Sequence, residues 1–281
     1  MTEVAPGVVH DAVARALAED LGPLGDITAA LLDAAEHGSA SFVPRKSGVL
    51  AGTACATETF AQVDPTVTVR WRAVDGDRVE AGELIGTVDG PLASILTAER
   101  TALNFLCHLS GIATLTRRFV DAVEGAPGSR ARIWDTRKTL PGLRALEKAA
   151  VRAGGGVNHR GSLSEMVLVK DNHLGRLGIS EAVRRAREQW PGRTVEVECE
   201  RMEQVLEAVD SGADLVMLDN MTPEDVAKCV EVIDGRAVVE VSGGVTLETV
   251  ARYASTGADL ISTSVITQSA PAFDIGLDLD P

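Results

Sequence analysis

Basic side chains are concentrated in one part of this 281-residue sequence. Residues 130–176 contain ten Lys and Arg against four Asp and Glu, although the whole chain has a net charge of −14. Arg presents a planar fork that fits a carboxylate, and Lys presents a point charge that suits phosphate. The region therefore predicts an anion pocket. Its candidate residues, which lie at the ends of apolar runs or in glycine-rich loops, are Arg137, Lys138, His159, Arg160 and Lys170.

A second interpretation accounts for part of this charge. Arg144, Lys148 and Arg152 recur every four residues, which is the spacing that aligns side chains along one face of a helix. We therefore assign these three to a solvent-exposed helix face. The other cations of the region remain candidates for anion binding.

Acidic side chains form a second group of candidates. Glu198 lies inside the run TVEVEC, with Glu196 in phase with it, and Asp219 closes the run DLVMLD. Because Mg²⁺ takes few protein carboxylates plus water and substrate oxygens, Glu198 and Asp219 form a predicted Mg²⁺ platform. Capping of the following helix is an alternative role for Asp219. Whether Glu196, Glu198 or Glu200 faces the site depends on the strand phase, which the sequence leaves open.

Small residues follow the last two apolar runs. Residues 242–244 (Ser-Gly-Gly) precede a helix predicted to begin near Leu247, and residues 262–264 read Ser-Thr-Ser. Paired glycines that open a helix leave backbone N–H groups available for a phosphate. An ordinary turn after a strand explains the glycines equally well.

Taken together, these groups describe a site for two anions and a divalent cation. No Ser or Cys pairs with a His in a way that would activate it as a nucleophile. Transfer between two bound small molecules therefore fits better than hydrolysis through a covalent enzyme intermediate.

Six short apolar runs in the C-terminal half must position these groups. Each run is followed by a helical segment, and their spacing matches the roughly 20 to 35 residues of one βα unit. Six successive units predict a closed or nearly closed parallel barrel, in which the carboxyl ends of the strands meet at one mouth. A doubly wound sheet is the alternative, although no GxGxxG follows the first run. The runs end at Asp135, Lys170, Glu198, Asp219, Ser242 and Ser262.

The N-terminal half has a different rhythm. Residues 8–20 alternate as a helix, and residues 39–90 show a period of two with glycine turns, which predicts a small antiparallel sheet. A long helical stretch follows over 92–123, with a break predicted near Gly111. We place the domain junction at 124–129. The predicted division is thus 1–123, then 124–269, then a tail over 270–281 that returns towards the N-terminal domain.

Composition narrows the class of protein. Aromatic residues make up only 3%, so the core must be built from aliphatic side chains, as in buried parallel strands. The acidic balance disfavours nucleic acid and anionic membranes as partners. No apolar stretch is long enough to span a membrane, and no basic segment precedes an apolar one at the N-terminus, so we expect a cytoplasmic protein. The four cysteines lack metal-site spacing and are expected to be reduced and mostly buried.

One run of residues is specific enough to indicate a family. The segment DTRKTLPGLRALEKAAVRAGGGVNHR, followed by VLVKDNH, resembles the type II phosphoribosyltransferases, and most closely the quinolinate phosphoribosyltransferase family. The segments EDLGPLGDIT, AERTALNFLCHLSGIAT, VEVEC, LDN, VSGG and DIGLDL match in the same order. The resemblance therefore covers nearly the whole chain.

The resemblance implies a fold and a reaction. Its fold is an α/β protein with an N-terminal α/β sandwich domain and a C-terminal incomplete parallel α/β barrel. Its reaction joins quinolinate to phosphoribosyl pyrophosphate with Mg²⁺, and gives nicotinate mononucleotide, pyrophosphate and carbon dioxide in de novo NAD synthesis. Its assembly is a homodimer, or a hexamer built from dimers, in which one subunit's N-terminal domain caps the other subunit's barrel.

The resemblance also implies roles for individual residues. Quinolinate is expected to bind Arg137, His159, Arg160 and Lys170, while Arg100 reaches across from the partner subunit. Lys138, Glu198 and Asp219 are the expected catalytic residues. The remaining positions expected around phosphoribosyl pyrophosphate are Thr136, Ser242, Gly243, Gly244, Ser262, Thr263 and Ser264.

Some positions depart from the family pattern. Ser264 stands where glycine is usual, and Leu140, Ser162 and Gln268 also differ. These differences affect the phosphate loops more than the charged ligands.

Two rival functions fit parts of the sequence. The first rival is a related enzyme that acts on nicotinate or another ring acid. The second is a non-catalytic carrier, suggested by the hairpin-like segment VDGDRVEAGELIGTVDGP. However, no lysine that could carry a prosthetic group lies between Lys46 and Lys138.

Overall fold

The computed structural model describes residues 4–33, 35–170 and 177–280. The chain forms two compact units, each assembled from segments that are separate in the sequence. The first unit comprises Met1–Arg117, Thr139–Gly155 and Thr267–Pro281, and the second comprises Arg118–Lys138 and Gly156–Ile266.

The first unit contains a 3-10 turn at Ala29–Leu31 besides its regular helices and strands. The helix at its N-terminus is two residues longer at the start than the predicted 8–20 segment, because Pro6 suits the first turn of a helix. In chain order the elements are α1 (Pro6–Leu21), β1 (His37–Pro44), β2 (Gly48–Val49), α2 (Thr53–Val63), β3 (Thr68–Trp71), β4 (Arg78–Val79), β5 (Gly86–Pro91), α3 (Leu92–Glu124), α4 (Arg144–Ala153) and β12 (Ile275–Leu279).

An antiparallel sheet forms the centre of the first unit, as the period-two pattern predicts. Its strand order is β12–β1–β5–β3, while β2 and β4 form a separate pair. Phe42 on β1 is fully buried, stacks on Trp71 at 4.8 Å and meets the edge of Phe60 at 6.1 Å. These rings supply large apolar areas to a core that is otherwise aliphatic.

The helix break predicted near Gly111 is wrong, because α3 runs unbroken for 33 residues. Gly111 serves a close approach instead. A Cβ atom at this position would collide with the carbonyl oxygen of Pro271 and lie 3.2 Å from the Phe273 amide nitrogen. The absence of a side chain therefore lets the C-terminal segment pass against α3.

The assignment of Lys148 to a solvent-exposed helix face is also wrong. Lys148 on α4 is 6% exposed, and the neighbouring Glu147 is fully buried. Glu147 accepts hydrogen bonds from His108 Nε2 at 2.9 Å and from the Leu140 amide at 3.3 Å. The buried face of α4 is thus wider than its apolar residues alone indicate, because Glu147 finds hydrogen-bonding partners inside the unit.

The second unit follows the end of α3 and alternates strands with helices. The six predicted apolar runs all form strands, within one or two residues of their predicted ends. In chain order the elements are β6 (Arg132–Trp134), β7 (Val167–Val169), α5 (Ile179–Gln189), β8 (Val195–Cys199), α6 (Met202–Asp210), β9 (Leu215–Asp219), α7 (Pro223–Ile233), β10 (Val238–Ser242), α8 (Val250–Ala254), β11 (Leu260–Ser262) and α9 (Val265–Gln268).

A six-stranded parallel sheet organises the second unit, with the order β6–β11–β10–β9–β8–β7. Neighbours in the chain are neighbours in the sheet, except that β6 pairs with β11 and not with β7. This circular order with one missing pairing is that of an incomplete parallel barrel, so the predicted fold class is confirmed. A doubly wound sheet would instead reverse its strand order at a switch point.

No single boundary in the sequence separates the two compact units. The segment with β12 belongs to the first unit because β12 pairs with β1, from Ala40–Leu279 to Pro44–Ile275. The predicted domain ranges therefore remain a prediction. The four cysteines are free, three of them buried. Across the described ranges, no helix has both the length and the apolar character to cross a membrane.

Candidate active site

Parallel pairing brings the carboxyl ends of the strands in the second unit to one edge of the sheet. Ser242 of β10 pairs with Asp219 of β9, and Cys199 of β8 pairs with Leu218. At the other side, Ser262 of β11 pairs with Trp134 of β6. The polar residues that end or follow these strands therefore share one rim.

The strand phase of β8 answers the question of which glutamate faces inward. Glu196 and Glu198 lie on the same face, while Val197 and Cys199 point to the opposite, buried face. Lys170, which follows β7, donates a hydrogen bond from Nζ to Glu198 Oε2. Glu200 lies beyond the strand and is exposed, so it does not belong to this site.

His159 is buried and has both ring nitrogens engaged. Its Nδ1 accepts a hydrogen bond from the Arg160 amide at 2.7 Å, and its Nε2 lies 3.1 Å from Glu196 Oε2. Because Nδ1 is an acceptor, the ring proton is on Nε2, which donates it to Glu196. The ring also packs on Trp134 with a centroid separation of 4.5 Å.

Glu196 and Glu240 form a carboxylate pair below the rim, and both side chains are fully buried. Burial raises the pKa of Glu240 well above its ordinary value, and the negative charge of Glu196 raises it further. Burial also opposes ionisation of Glu196, but interactions with Glu240 and His159 outweigh it and lower the pKa of Glu196. The surroundings therefore favour a negative charge on Glu196 over one on Glu240.

The same three residues have the composition of a metal site. One ligand atom from each of His159, Glu196 and Glu240 lies within 4.8 Å of the others. However, the proton on His159 Nε2 is used in the bond to Glu196, and a metal ligand must be a deprotonated nitrogen. We therefore interpret Glu196 as a hydrogen-bonded support for His159.

Two arginines lie close together at the rim. The Arg160 Nη1 atom donates to the Met166 carbonyl oxygen at 3.0 Å. Burial lowers the pKa of Arg160, and the nearby positive charge of Arg137 lowers it further. The carboxylates of Glu196 and Glu165 act in the opposite direction, and an anion bound by both arginines would do the same.

Asp135 anchors the segment that carries His159 and Arg160. Val157 forms a parallel bridge with Trp134, so this segment runs along the free edge of β6. Asp135 is fully buried and accepts hydrogen bonds from Asn158 Nδ2 at 2.6 Å and from the His159 amide at 2.8 Å. The carboxylate thereby fixes the backbone immediately before Arg160.

The loop after β6 presents the other predicted cation. The Thr136 hydroxyl accepts a hydrogen bond from the Lys138 amide at 3.0 Å, which turns the chain here. Lys138 is exposed and Arg137 is half-buried. Arg100 lies on α3 in the first unit, where it is exposed.

The loop after β10 meets the residue that follows Asp219. Asn220 adopts a positive φ of 56°, and its amide donates to the Ser242 carbonyl oxygen at 3.0 Å. Its side chain donates to Asp219 Oδ2 at 2.7 Å. Gly243 has a φ of +87°, and a Cβ there would lie 2.7 Å from Asn220 Cγ. The glycine is therefore needed both for its backbone conformation and for space.

Two helix details differ from prediction. The N-cap of α7 is Thr222, whose hydroxyl accepts from the Asp225 amide, so Asp219 does not cap this helix. The helix predicted to begin near Leu247 is α8, which begins at Val250 after a turn. Threonine hydroxyls favour capping and turn positions and so delay the helix start. The glycines of residues 242–244 therefore open a turn and not the helix itself.

The polar residues at the end of β11 are largely buried. Ser262 and Thr263 are buried, and the Thr263 hydroxyl donates to the Val245 carbonyl oxygen at 3.3 Å. Ser264 is half-buried. Most of the motif KDNH, as well as Arg176 of the basic region, lies outside the described residues.

Sequence reasoning left three supporting residues of this site without a definite role. Glu240 was not considered, Asp135 was named only as the end of a strand, and Glu196 was one of three glutamates that could face the site. The period of two that relates Glu240 to Ser242 was available in the sequence. The contacts of Asp135 and Glu196 were not, because they join residues more than 20 positions apart.

Comparison with known proteins agrees with this geometry. The family models for the N-terminal and C-terminal domains of quinolinate phosphoribosyl transferase match residues 26–110 and 112–278. A nicotinate-nucleotide pyrophosphorylase [carboxylating] of Mycobacterium leprae is 44% identical over 277 residues, which cover 96% of each chain. A probable enzyme of the same name from Bacillus subtilis is 41% identical and covers 93% of this chain and 90% of its own. The solved nicotinate-nucleotide pyrophosphorylase of Francisella tularensis superposes with a TM-score of 0.94 at 37% identity, covering 99% of this chain and 98% of its own.

Proposed function

Because this chain belongs to the quinolinate phosphoribosyltransferase family, we propose that its second unit transfers a phosphoribosyl group to quinolinate. The products are nicotinate mononucleotide, pyrophosphate and carbon dioxide, in the synthesis of NAD. A cytoplasmic location is part of the same proposal. The acidic composition disfavours nucleic acid, so we expect small molecules as its partners.

The observation that carries this proposal is the pair of neighbouring arginines. Quinolinate has carboxylates on adjacent ring carbons, and the proximity of Arg137 and Arg160 provides two guanidinium forks for such a diacid. Lys170 supplies a third charge on the same rim. An acid with one carboxylate would engage only one of the two guanidinium groups.

The second substrate would occupy the rim around β8, β9 and β10. We assign its phosphates to Lys138, which is exposed, to the turn at residues 242–244 and to the loop at residues 262–264. The carboxylates of Glu198 and Asp219 form a hard oxygen donor set, which fits Mg²⁺ bound mainly through water and substrate oxygens. When bound, Mg²⁺ would neutralise the charge of the pyrophosphate group.

The reaction breaks one bond to the ribose and makes another. The bond from ribose C1 to pyrophosphate breaks, and the quinolinate nitrogen forms a bond to C1. A carboxylate such as Glu198 would stabilise the positive charge that develops at C1, while Lys138 would hold the departing pyrophosphate. The ring nitrogen is then positively charged, so it stabilises the electron pair that remains on the adjacent ring carbon when its carboxylate leaves as carbon dioxide. A proton from water then bonds to that carbon.

Substrate preference tests this function directly. With phosphoribosyl pyrophosphate and Mg²⁺ present, we expect quinolinate to give one carbon dioxide for each pyrophosphate, measured by trapping labelled carbon dioxide. Nicotinate should give little pyrophosphate, because it has a single carboxylate for the cation cluster. Faster turnover of nicotinate would assign the protein to the rival activity. A parallel reaction with EDTA tests the metal requirement and should stop turnover.

We also propose that the active enzyme is a homodimer, or a hexamer built from dimers, with Arg100 completing the partner's pocket. The exposure of Arg100 on α3 supports a role outside its own unit. Arg100→Ala and Arg137→Ala should each be inactive alone. Mixed by co-expression, they should recover about a quarter of wild-type activity, since half the dimers would contain one intact site. No recovery in isolated mixed dimers would place Arg100 outside the shared site.

A further inference from the structure

The segment Asn158–Arg160 is held from three directions, although it leads directly to a substrate-facing guanidinium. The Asp135 carboxylate accepts a hydrogen bond from the His159 amide, and the Met166 carbonyl accepts one from the Arg160 guanidinium. The Glu196 carboxylate accepts one from the His159 ring. Such a set of restraints is typical of residues that hold another side chain in place.

The His159 ring connects one of these restraints to Arg160. Its Nε2 proton goes to Glu196 at 3.1 Å, whereas Glu240 Oε2 lies 3.8 Å away and is too far for a hydrogen bond. Its Nδ1 atom accepts the Arg160 amide at 2.7 Å. Since both nitrogens are engaged within the protein, the ring links Glu196 to the Arg160 backbone.

We propose that Glu196 is a positioning residue for substrate binding, which acts through the His159 ring to set the direction of Arg160. This rests on the proposed function, because it takes the carboxylates of quinolinate as the groups that Arg160 meets. Glu196 is fully buried and does not itself touch the ring acid.

Replacement of Glu196 by Leu tests this chain of contacts. Without its acceptor the buried Nε2 proton of His159 is unsatisfied, so the ring turns and releases the Arg160 amide. We expect Glu196→Leu to raise the quinolinate Kd, measured by calorimetry without phosphoribosyl pyrophosphate, by about 10- to 100-fold. The KM for phosphoribosyl pyrophosphate should stay close to the wild-type value. Glu196→Gln, which keeps an acceptor oxygen, should restore most of the affinity.

A double-mutant cycle separates positioning from general structural support. His159→Phe keeps the contact with Trp134 but removes both nitrogens. If Glu196 acts through His159, Glu196→Leu should cause no further loss of quinolinate affinity in the His159→Phe background. Additive losses, or a Glu196→Leu protein that binds quinolinate like the wild type, would overturn the inference.

A spectroscopic measurement keeps the inference testable if Glu196→Leu does not fold. The chain has five histidines, so the ¹⁵N imidazole signals of His159 can be assigned by comparison with His159→Phe. We expect the ring proton on Nε2 in the wild type, with Nδ1 as the acceptor of the Arg160 amide. A proton on Nδ1 would contradict the inference even if quinolinate is the substrate, whereas a wild type without quinolinate turnover would instead contradict the proposed function.

Discussion

Replacing either arginine of the pair should abolish useful turnover of quinolinate. Arg137→Ala or Arg160→Ala leaves a desolvated substrate carboxylate without its partner, which costs about 3–5 kcal/mol. That energy corresponds to a roughly 100- to 3,000-fold loss in kcat/KM. Steady-state kinetics with quinolinate varied at saturating phosphoribosyl pyrophosphate measures the loss.

Two further variants serve as controls for the arginine substitutions. Arg160→Lys keeps the charge but not the two-pronged geometry, so it should recover only part of the activity. Arg185→Ala removes an exposed arginine that pairs with Glu181 on α5, and it should behave as the wild type. Normal turnover of quinolinate by Arg137→Ala and Arg160→Ala would mean that the pocket has been assigned to the wrong place.

Addition of a single methyl group at Gly243 should impair the phosphoribosyl pyrophosphate side of the site. An L residue at a φ of +87° is strained by about 1–3 kcal/mol. The new Cβ would also displace Asn220, which donates to Asp219. Loss of this hydrogen bond to a charged group costs about 1.5–3 kcal/mol, so we expect Gly243→Ala to lower kcat/KM for phosphoribosyl pyrophosphate by about 10- to 150-fold. Quinolinate affinity in the absence of the second substrate should be unchanged.

A matched glycine provides the control for backbone strain. Gly235 also has a positive φ, of 72°, but a Cβ there would meet nothing within 4 Å. It precedes β10, at the end of that strand opposite to Ser242. Gly235→Ala should therefore lower thermal stability slightly and leave the kinetics intact. Equal kinetic losses in the two variants would show that strain alone, and not the contact with Asn220, causes the effect.

The sequence alone determined the parallel sheet and the side of it that carries the chemistry. Apolar runs of four to six residues, repeated at βα spacing, predict parallel strands because both faces of such strands are buried. The polar residues at their ends, such as Lys170 and Asp219, then share a rim by the geometry of parallel pairing. Glu198 was identified in the same way, by its position near the end of a strand.

Predictions from local sequence pattern were wrong where a residue's role depends on a segment far away in the chain. Gly111 resembled a helix break, but the passing C-terminal segment explains the glycine. Lys148 fitted an exposed face by spacing, yet it is buried. Periodicity shows which positions share a face of one helix or strand. It does not show which other segment packs against that face.

Only the tertiary structure decided how the site is supported. The contacts of Asp135 with His159, and of His159 with Glu196, join residues 24 and 37 positions apart. These side chains are buried and polar, and each one can remain buried only because another segment supplies its hydrogen-bonding partner. The rim could be read from the sequence because strand periodicity is local, whereas its support depends on pairings that exist only after the chain has folded.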